Sequence, residues 1–356
     1  MTSKNTLGTV GERAALARIF PRLPAATTTL VGPGDDAAVL AAPDGRFVVT
    51  TDMMIHGPDF RLAWSTAHDL GVKAAASNLA DVAAMGAVPT SLVVALAVPR
   101  STSVEWLEQF ADGLRDGVTA LADGCGVVGG DLSVSDTLTI VVTAFGDLQG
   151  RAPVLRSGAR TGDVVAVAGA LGMAGAGIRL LFTEAVTSGD GSTPPEPSAD
   201  LGRALRRRYP AVLDAQLAPT PPIHRGPEAA DAGATAMLDV SDGLLLDASR
   251  IAEASAVGID LSSAALDDDV RAVAAAHPSL ADFARGLVYA GGEDHALLAT
   301  FPASGALPDG FRRIGVVVPA AAGGPAGAGS AVTVDGAPYD SPGGWDPYRD
   351  WNGSTG

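Results

Sequence analysis

Short apolar runs and amphipathic stretches alternate along the chain, and they predict a mixture of strands and helices. Residues 47–51 are aromatic or β-branched, which is typical of a buried strand, and Asp52 follows directly. An Asp at the end of such a strand is costly to bury unless a cation meets it. Further strands are predicted over 91–98, 127–131, 137–145, 164–168 and 314–318 and from Ala236, and helices over 11–20, 63–85, 103–122, 201–209 and 244–256.

Acidic residues recur in apolar surroundings, at Asp35, Asp36, Asp52, Asp81, Asp131, Asp239 and Asp242. Asp81 shares one face of the predicted 63–85 helix with Lys73 and Ser77, because these residues are four apart. For any single Asp, a solvated turn or a helix cap is an equally simple interpretation. Capping explains Asp242 well, but it does not explain Asp239 inside an apolar run. We therefore expect these carboxylates to converge on a shared cluster of divalent cations.

Glycine-rich turns and arginines supply candidate phosphate contacts. Gly130 lies in a Gly-Gly pair that lets a ligand approach the backbone. Arg156 and Arg160 are rare positive charges suited to bidentate phosphate binding, although a surface role explains them equally well. The stretch 169–177 opens a predicted helix and could bind phosphate through its amide groups. The segment Gly-Asp-Leu-Gln-Gly-Arg near residues 147–152 suggests a boundary between two domains, residues 1–150 and 151–356.

Composition narrows the possible partners. The chain has 356 residues with a formal charge of −16, which argues against nucleic acid or an anionic membrane as a partner. Its single cysteine, Cys125, permits no internal disulfide and suits a reducing cytoplasm. No apolar stretch is long enough to span a bilayer, and the first twelve residues do not resemble a leader peptide.

The catalytic motifs of several enzyme classes do not occur. There is no Gly-x-Ser-x-Gly and no phosphate-binding loop that ends in Gly-Lys-Ser or Gly-Lys-Thr, and Lys4 and Lys73 are the only lysines. What remains is a set of carboxylates, hydroxyls and glycine turns, and oxygen ligands favour Mg²⁺ or Mn²⁺. This combination favours phosphoryl transfer in which metal ions, rather than lysines, balance the phosphate charge.

The order of the motifs resembles one enzyme family, thiamine-monophosphate kinase, of the superfamily that includes aminoimidazole ribonucleotide synthetase and selenophosphate synthetase. The resemblance covers roughly residues 8–350. It depends on the whole set and not on any one member: Gly34-Asp35-Asp36-Ala, Thr50-Thr51-Asp52, Asn78-Leu-Ala-Asp81, Gly129-Gly-Asp131, Arg156-Ser-Gly-Ala, Asp239-Val-Ser-Asp242-Gly-Leu and Gly291-Gly-Glu-Asp294.

The resemblance implies transfer of the γ-phosphate of ATP to thiamine monophosphate, and a two-domain α/β fold whose N-terminal strands pair in a homodimer. It implies three groups of site residues. The Mg²⁺ ligands are Asp35, Thr50, Thr51, Asp52, Asp81, Asp131, Asp239 and Asp242. The ATP-binding residues are Gly130, Asp131, Arg156 and Ser241, and the residues at the thiamine end are Asp59, Glu293 and Trp345.

One departure from the family pattern concerns the substrate side. Where the family often has a His before Phe, this chain has Asp59 before Phe60, and an ionised Asp cannot donate to a phosphate. Asp59 could contact the thiamine cation, Asp59 could act through a metal, or His56 could substitute. In the tail, Trp345 retains the aromatic residue of the family pattern.

Other functions fit the same residues. The chain could be another ATP-dependent synthetase of this superfamily, with a different acceptor. It could instead be an inactive protein that binds a nucleotide or thiamine phosphate, or a divalent-ion binding protein whose metal affinity does not depend on nucleotide.

Overall fold

The computed structural model describes residues 6–10, 12–31, 39–187, 195–320, 331–339 and 344. Within these residues, strands and helices alternate in a mixed α/β arrangement. The described strands form a four-stranded sheet, a seven-stranded sheet and a two-stranded ladder. These observations confirm the predicted α/β class with two sheets and packed helices.

The first part of the chain contains the four-stranded sheet. The elements are α1 (Leu7–Val10), α2 (Glu12–Ile19), β1 (Thr29–Val31), β2 (Val39–Leu40), β3 (Val48–Ile55), α3 (Ala67–Ala84), β4 (Val88–Val98), α4 (Val104–Leu121), β5 (Gly126–Val134) and β6 (Thr139–Asp147), with a 3₁₀ turn at Phe20–Arg22. The strand order in this sheet is β3-β6-β4-β5, and within it only β4 and β5 run parallel.

The second part contains the seven-stranded sheet. The elements are β7 (Val164–Ala168), α5 (Met173–Glu184), α6 (Ala199–Arg208), α7 (Pro210–Leu217), α8 (Arg225–Asp231), β8 (Ala236–Val240), α9 (Leu244–Ser255), β9 (Gly258–Leu261), α10 (Ser263–Ala276), α11 (Ala284–Ala290), β10 (Ala296–Phe301), β11 (Phe311–Val318), β12 (Val332–Val334) and β13 (Ala337–Pro338), with a 3₁₀ turn at Pro278–Leu280. The strand order in this sheet is β13-β12-β9-β11-β7-β10-β8. The two sheets lie on either side of the predicted boundary at residue 150, and the division into domains stays a prediction.

The four-stranded sheet has one covered face and one open face. Side chains alternate between the faces of a strand, and the register pairs Thr50 with Ala144 and Asp52 with Val142. Ala144 and Val142 are fully buried, so Thr50 and Asp52 lie on the face that the helices cover. Met53, one position along, lies on the open face.

Helix α3 is the element that connects the two sheets. It begins at Ala67 because Thr66 and Asp69 form a capping box, which places its start four residues after the predicted one. It packs closely on α4, where a Cβ at Gly71 would lie 2.3 Å from the carbonyl oxygen of Phe110. The same helix also contacts β8 and β10 of the second sheet. Polar residues on α3 therefore face groups from both halves of the chain.

Two strands extend beyond their predicted ends. β3 continues through Asp52 to Ile55, because the apolar residues after Asp52 pair with β6. β5 continues through Asp131 to Val134, and a Cβ at Gly130 would lie 2.0 Å from the carbonyl oxygen of Val94. Gly130 thus permits close approach of a neighbouring strand, and the glycine pair lies within a strand and does not form a turn.

Candidate active site

A cluster of carboxylates lies where β3, α3 and β8 meet. The hydroxyl of Thr50 donates to Asp81 Oδ2 at 3.0 Å, and Asp239 on β8 is 5% exposed. Burial, followed by the negative charges of Asp239 and Asp52, raises the pKa of Asp81 to about 6. Asp52, Asp81 and Asp239, which lie up to 187 positions apart in the sequence, therefore share one electrostatic environment.

Asp52 has the same electrostatic character. Its Oδ1 accepts a hydrogen bond from the amide of Met53 at 2.7 Å, which favours the ionised form. Burial nevertheless raises the pKa of Asp52, and the charges of Glu293 and Asp239 add to that shift. Carboxylates that raise each other's pKa form a site that a cation would stabilise.

Two cations at this site were not predicted as site residues. His295 Nδ1 lies 3.0 Å from Asp239 Oδ2, and Lys73 forms an ion pair with Glu293. Burial acts to lower the pKa of His295, but the bond to Asp239 and the charge of Glu293 outweigh it, so the pKa is raised. One signal in the sequence could have indicated His295, namely its position directly after the Gly-Gly-Glu-Asp motif. His295 thus fixes one oxygen of Asp239, and the negative charge of the same carboxylate raises the pKa of Asp81.

Asp59 belongs to this acidic region, and His56 is placed differently. Asp59 Oδ2 accepts from the amide of Ile55 at 2.6 Å, and burial together with the charge of Glu293 raises its pKa. The ring of His56 lies 5.7 Å from that of Phe60, and burial and the charge of Arg61 lower the pKa of His56. Of the two candidates for the substrate side, Asp59 is the one whose pKa is raised by the charges of Glu293 and Asp52.

Asp242 lies directly after β8 but already has a counter-ion. Arg250 donates to Asp242 Oδ2 at 2.6 Å and also pairs with Asp247. The carboxylate of Asp247 accepts from the amides of Asp242 and Gly243 at 3.0 and 3.1 Å. Gly243 occupies the N-cap position of α9 without a side-chain cap, so Asp242 does not cap this helix as the sequence suggested. Ser241 contributes its carbonyl oxygen, which accepts from the amide of Glu293.

Four predicted site residues lie away from the cluster within one chain. Thr51 is on the open face of the sheet, where its hydroxyl donates to the carbonyl of Val142 at 3.0 Å. Gly130 and Asp131 are exposed on β5, at the opposite edge of the sheet from β3 and roughly 14 Å away at the usual strand spacing. The register puts Asp131 beside Ala95, on the open face. Arg156 is exposed, and its carbonyl oxygen accepts from Ser255.

Two amides of the glycine-rich segment at the start of α5 are already bonded within the protein. The amides of Gly172 and Ala174 both donate to the carboxylate of Asp294, the latter at 2.9 Å. Burial raises the pKa of Asp294 to about 7. An internal carboxylate thus takes the place at this helix start that the sequence suggested for a phosphate.

Asp35 and Trp345 lie outside the described residues. In the part of the chain that the structure describes, no three acidic, His or Cys side chains are arranged to hold one metal ion. Mg²⁺, however, is commonly held by one or two carboxylates together with water and substrate phosphates. The mutually repelling carboxylates of Asp52, Asp81 and Asp239, with the hydroxyl of Thr50, therefore fit a metal bound jointly with a phosphorylated ligand.

Comparisons with known proteins agree with this chemistry. Residues 34–148 match the family described as AIR synthase related protein, N-terminal domain. Thiamine-monophosphate kinase of Mycobacterium tuberculosis (strain H37Rv) is 44% identical over 347 residues, which cover 98% of this chain and 94% of that protein. The Corynebacterium glutamicum thiamine-monophosphate kinase is 40% identical over 287 residues, 80% of each chain.

Solved structures share the fold. The structure described as AaThiL complexed with AMPPCP and TMP matches with a TM-score of 0.69 and 30% identity, over 87% of this chain and 90% of that one. A hydrogenase maturation protein HypE matches at 20% identity with a TM-score of 0.59, which shows the fold alone. By fold and by the match over residues 34–148, the chain is thus a protein of the AIR synthase related class. Within that class it belongs to the thiamine-monophosphate kinase family.

Proposed function

We propose that this protein transfers the γ-phosphate of ATP to thiamine monophosphate, giving thiamine diphosphate and ADP. One observation supports this most strongly. The family match extends over nearly the whole chain, and the acidic residues that the family motifs select at Asp52, Asp81 and Asp239 meet in one cluster. Both substrates are anionic at the reacting ends, so their phosphates can meet only where the charge is balanced.

Asp52, Asp81, Asp239 and the hydroxyl of Thr50 would hold Mg²⁺, which supplies positive charge between the two phosphates. Several ions per site, with Asp35, Thr51, Asp131 and Asp242 as further ligands, complete this part of the proposal. His295 fixes the orientation of Asp239 through the 3.0 Å contact between its Nδ1 and Asp239 Oδ2. Because the acceptor is already an anion, the chain needs no general base, and its role is to position the two reactants in line.

The remaining assignments concern the two ligands. Gly130, Asp131, Arg156 and Ser241 would contact ATP. Asp59, Glu293 and Trp345 would surround the thiamine end, whose cationic ring suits the carboxylates of Asp59 and Glu293.

Transfer is measured with ATP labelled at the γ-phosphate, thiamine monophosphate and Mg²⁺. Label in thiamine diphosphate is expected, and none should appear when unphosphorylated thiamine replaces the acceptor. Release of free phosphate without labelled thiamine diphosphate would contradict the proposal and favour a different acceptor. Binding of both ligands without turnover would favour an inactive binding protein, and metal affinity that does not change with nucleotide would favour a simple ion-binding protein.

A homodimer in the cytoplasm is part of the proposal. The open face of the four-stranded sheet leaves Val49 and Met53 54% and 51% exposed, which is unusual for apolar residues in the middle of a strand. Asp131 lies on that same face, so a second chain docked there is one way to bring it to an acidic site. Sedimentation at assay concentration should give a dimer, and an active monomer would contradict this arrangement.

No nucleic acid or membrane partner is proposed, in line with the charge of −16. Among the described helices, none combines the length and apolar character needed to cross a bilayer.

A further inference from the structure

Lys73 is a buried cation at the active site that none of the family motifs selects. Its side chain is 6% exposed, and its ammonium pairs with the carboxylate of Glu293. It also donates to the side-chain oxygen of Gln216 at 2.8 Å, in the amide orientation that lets the Gln216 nitrogen donate to the carbonyl of Ala174 at 3.3 Å. Lys73 therefore joins α3, α7 and the loop before β10 at one point.

We propose that Lys73 is a positioning residue for the acceptor substrate, and that it acts by fixing the carboxylate of Glu293 toward the thiamine end. This inference rests on the proposed function, which places Glu293 at that end of the substrate.

Accessibility separates the roles of the two partners. The side chain of Glu293 is 36% exposed, whereas that of Lys73 is 6% exposed. The Glu293 oxygen that faces Lys73, Oε2, is itself buried. A ligand entering the site would therefore meet the exposed part of the Glu293 side chain and not the ammonium. Lys73 thus acts through Glu293 and does not contact the ligand itself.

The backbone of Glu293 is already fixed, so its side chain is the part that needs a partner. Glu293 has a positive φ of 71°, which is uncommon for a residue with a Cβ, and its amide donates to the carbonyl of Ser241 at 2.7 Å. Gly292 before it approaches the same carbonyl so closely that a Cβ there would lie 2.6 Å away. With the main chain held in this way, the ion pair with Lys73 selects the direction of the carboxylate.

The charge of Lys73 also keeps Glu293 in the form that a cationic ring requires. Burial opposes ionisation of Glu293, but Lys73 and His295 outweigh it and lower the pKa of Glu293. A neutral Glu293 would lose its attraction for the positive ring of thiamine, whereas an ionised one complements it.

A double-mutant cycle tests the proposal with Lys73→Met, Glu293→Gln and the double variant. Lys73→Met is expected to raise the KM for thiamine monophosphate about tenfold or more, the scale of one lost charge-assisted bond, with little change in the KM for ATP. The double variant should be no worse than Glu293→Gln alone, because Lys73 has no other route to the substrate. If the Lys73 change exerts its full effect in the Glu293→Gln background, Lys73 acts on the ligand directly and the proposal is overturned.

Arg206→Met is the matched control. Arg206 is also a partly buried cation that ties a carboxylate on α3, Asp69, to the second part of the chain, with bonds of 2.8 and 3.0 Å. Its removal should lower the melting temperature without raising the KM for thiamine monophosphate relative to that for ATP. If Lys73→Met behaves in the same way, its role is only structural and the proposal fails. Should Lys73→Met not fold, Lys73→Gln takes its place in the cycle.

Calorimetry separates this inference from the proposed function. It measures the binding of thiamine monophosphate to the wild type, Lys73→Met, Glu293→Gln and the double variant. A wild-type protein that binds thiamine monophosphate and shows the coupling, but transfers no phosphate, contradicts the function and supports the role of Lys73. A wild-type protein that transfers phosphate and shows no coupling contradicts the role of Lys73 alone.

Discussion

At the scale of single residues, the site is defined by carboxyl groups that the fold keeps close despite their mutual repulsion. Asp81 is central, because its carboxylate accepts a hydrogen bond from the hydroxyl of Thr50 and because the charges of Asp239 and Asp52 raise its pKa. An Asn at this position would keep the shape and the acceptor oxygen but would remove one negative charge. Asp81 is therefore the residue at which shape and charge can be tested separately.

Asp81→Asn is expected to lower kcat/KM for phosphate transfer by about 100-fold and to raise the Mg²⁺ concentration needed for half-maximal rate, because the site loses a metal-binding charge. Steady-state kinetics over a Mg²⁺ series measure both quantities. Asp116→Asn is the control, since Asp116 is an exposed helix residue bonded to His68 and should leave the kinetics unchanged. An Asp81→Asn variant with the rate and metal requirement of the wild type would contradict the role assigned to Asp81.

At the scale of elements, the apolar patterns predicted which segments form strands and helices better than they predicted where those elements end. The pattern placed the end of β3 at Asp52, yet the strand continues to Ile55 because β6 supplies partners for the following residues. Pairing of this kind joins residues about ninety positions apart, and the local sequence does not encode it. The start of α3 differs for a local reason, the capping box at Thr66, which the sequence contains and which helical periodicity alone does not locate.

The start of α5 offers a test of how tightly an element is held. Gly172 has a φ of 79°, and a Cβ there would lie 2.7 Å from the amide nitrogen of Val288. Gly233 has almost the same φ, 81°, but open space around the Cβ position. A substitution at Gly233 therefore reports backbone strain alone, whereas one at Gly172 reports the same strain together with a steric clash.

Gly233→Ala is expected to lower the free energy of unfolding by about 1–2 kcal/mol, the cost of a left-handed conformation for an L-residue. Gly172→Ala should cost at least about 1 kcal/mol more, because the chain near Val288 must also move. Urea unfolding of both variants measures the difference. Equal losses would mean that α5 and α11 do not pack as closely as the structure shows.

At the scale of the whole molecule, the site exists only because α3 lies between the two sheets. The sequence identified Asp52, Asp81 and Asp239 one by one, from carboxylates in apolar surroundings. It did not predict the pairing of His295 with Asp239 or of Lys73 with Glu293, because each pair joins segments that meet only in the folded chain. For the same reason it did not predict that Asp131 lies on the other face of its sheet, which depends on strand register.

Buried carboxylates, both in the cluster and elsewhere in the chain, also lower the stability of the whole fold as pH rises. Burial raises the pKa of Asp81 and of Asp247 from 3.8 to about 6, and that of Asp294 from 3.8 to about 7. The folded chain therefore retains protons that the unfolded chain releases. Stability from a raised pKa is fully present below the unfolded value and is lost as pH rises through the folded value. Lowered pKa values, as at Asp69, act in the opposite sense only at more acidic pH, near and below the ordinary value of 3.8.

The melting temperature of the metal-free protein in EDTA is therefore expected to fall between about pH 5 and pH 8. Mg²⁺ should oppose this fall, because it binds the ionised carboxylates and relieves their repulsion. Its stabilising effect should be larger at pH 8 than at pH 5.5, and smaller in the Asp81→Asn variant at pH 8. Thermal melts at both pH values, with and without Mg²⁺, measure these differences. A melting temperature that rises steadily to pH 8 in EDTA would contradict the raised pKa values. A Mg²⁺ effect that does not change with pH would show that the cluster carboxylates are not the groups that a metal neutralises.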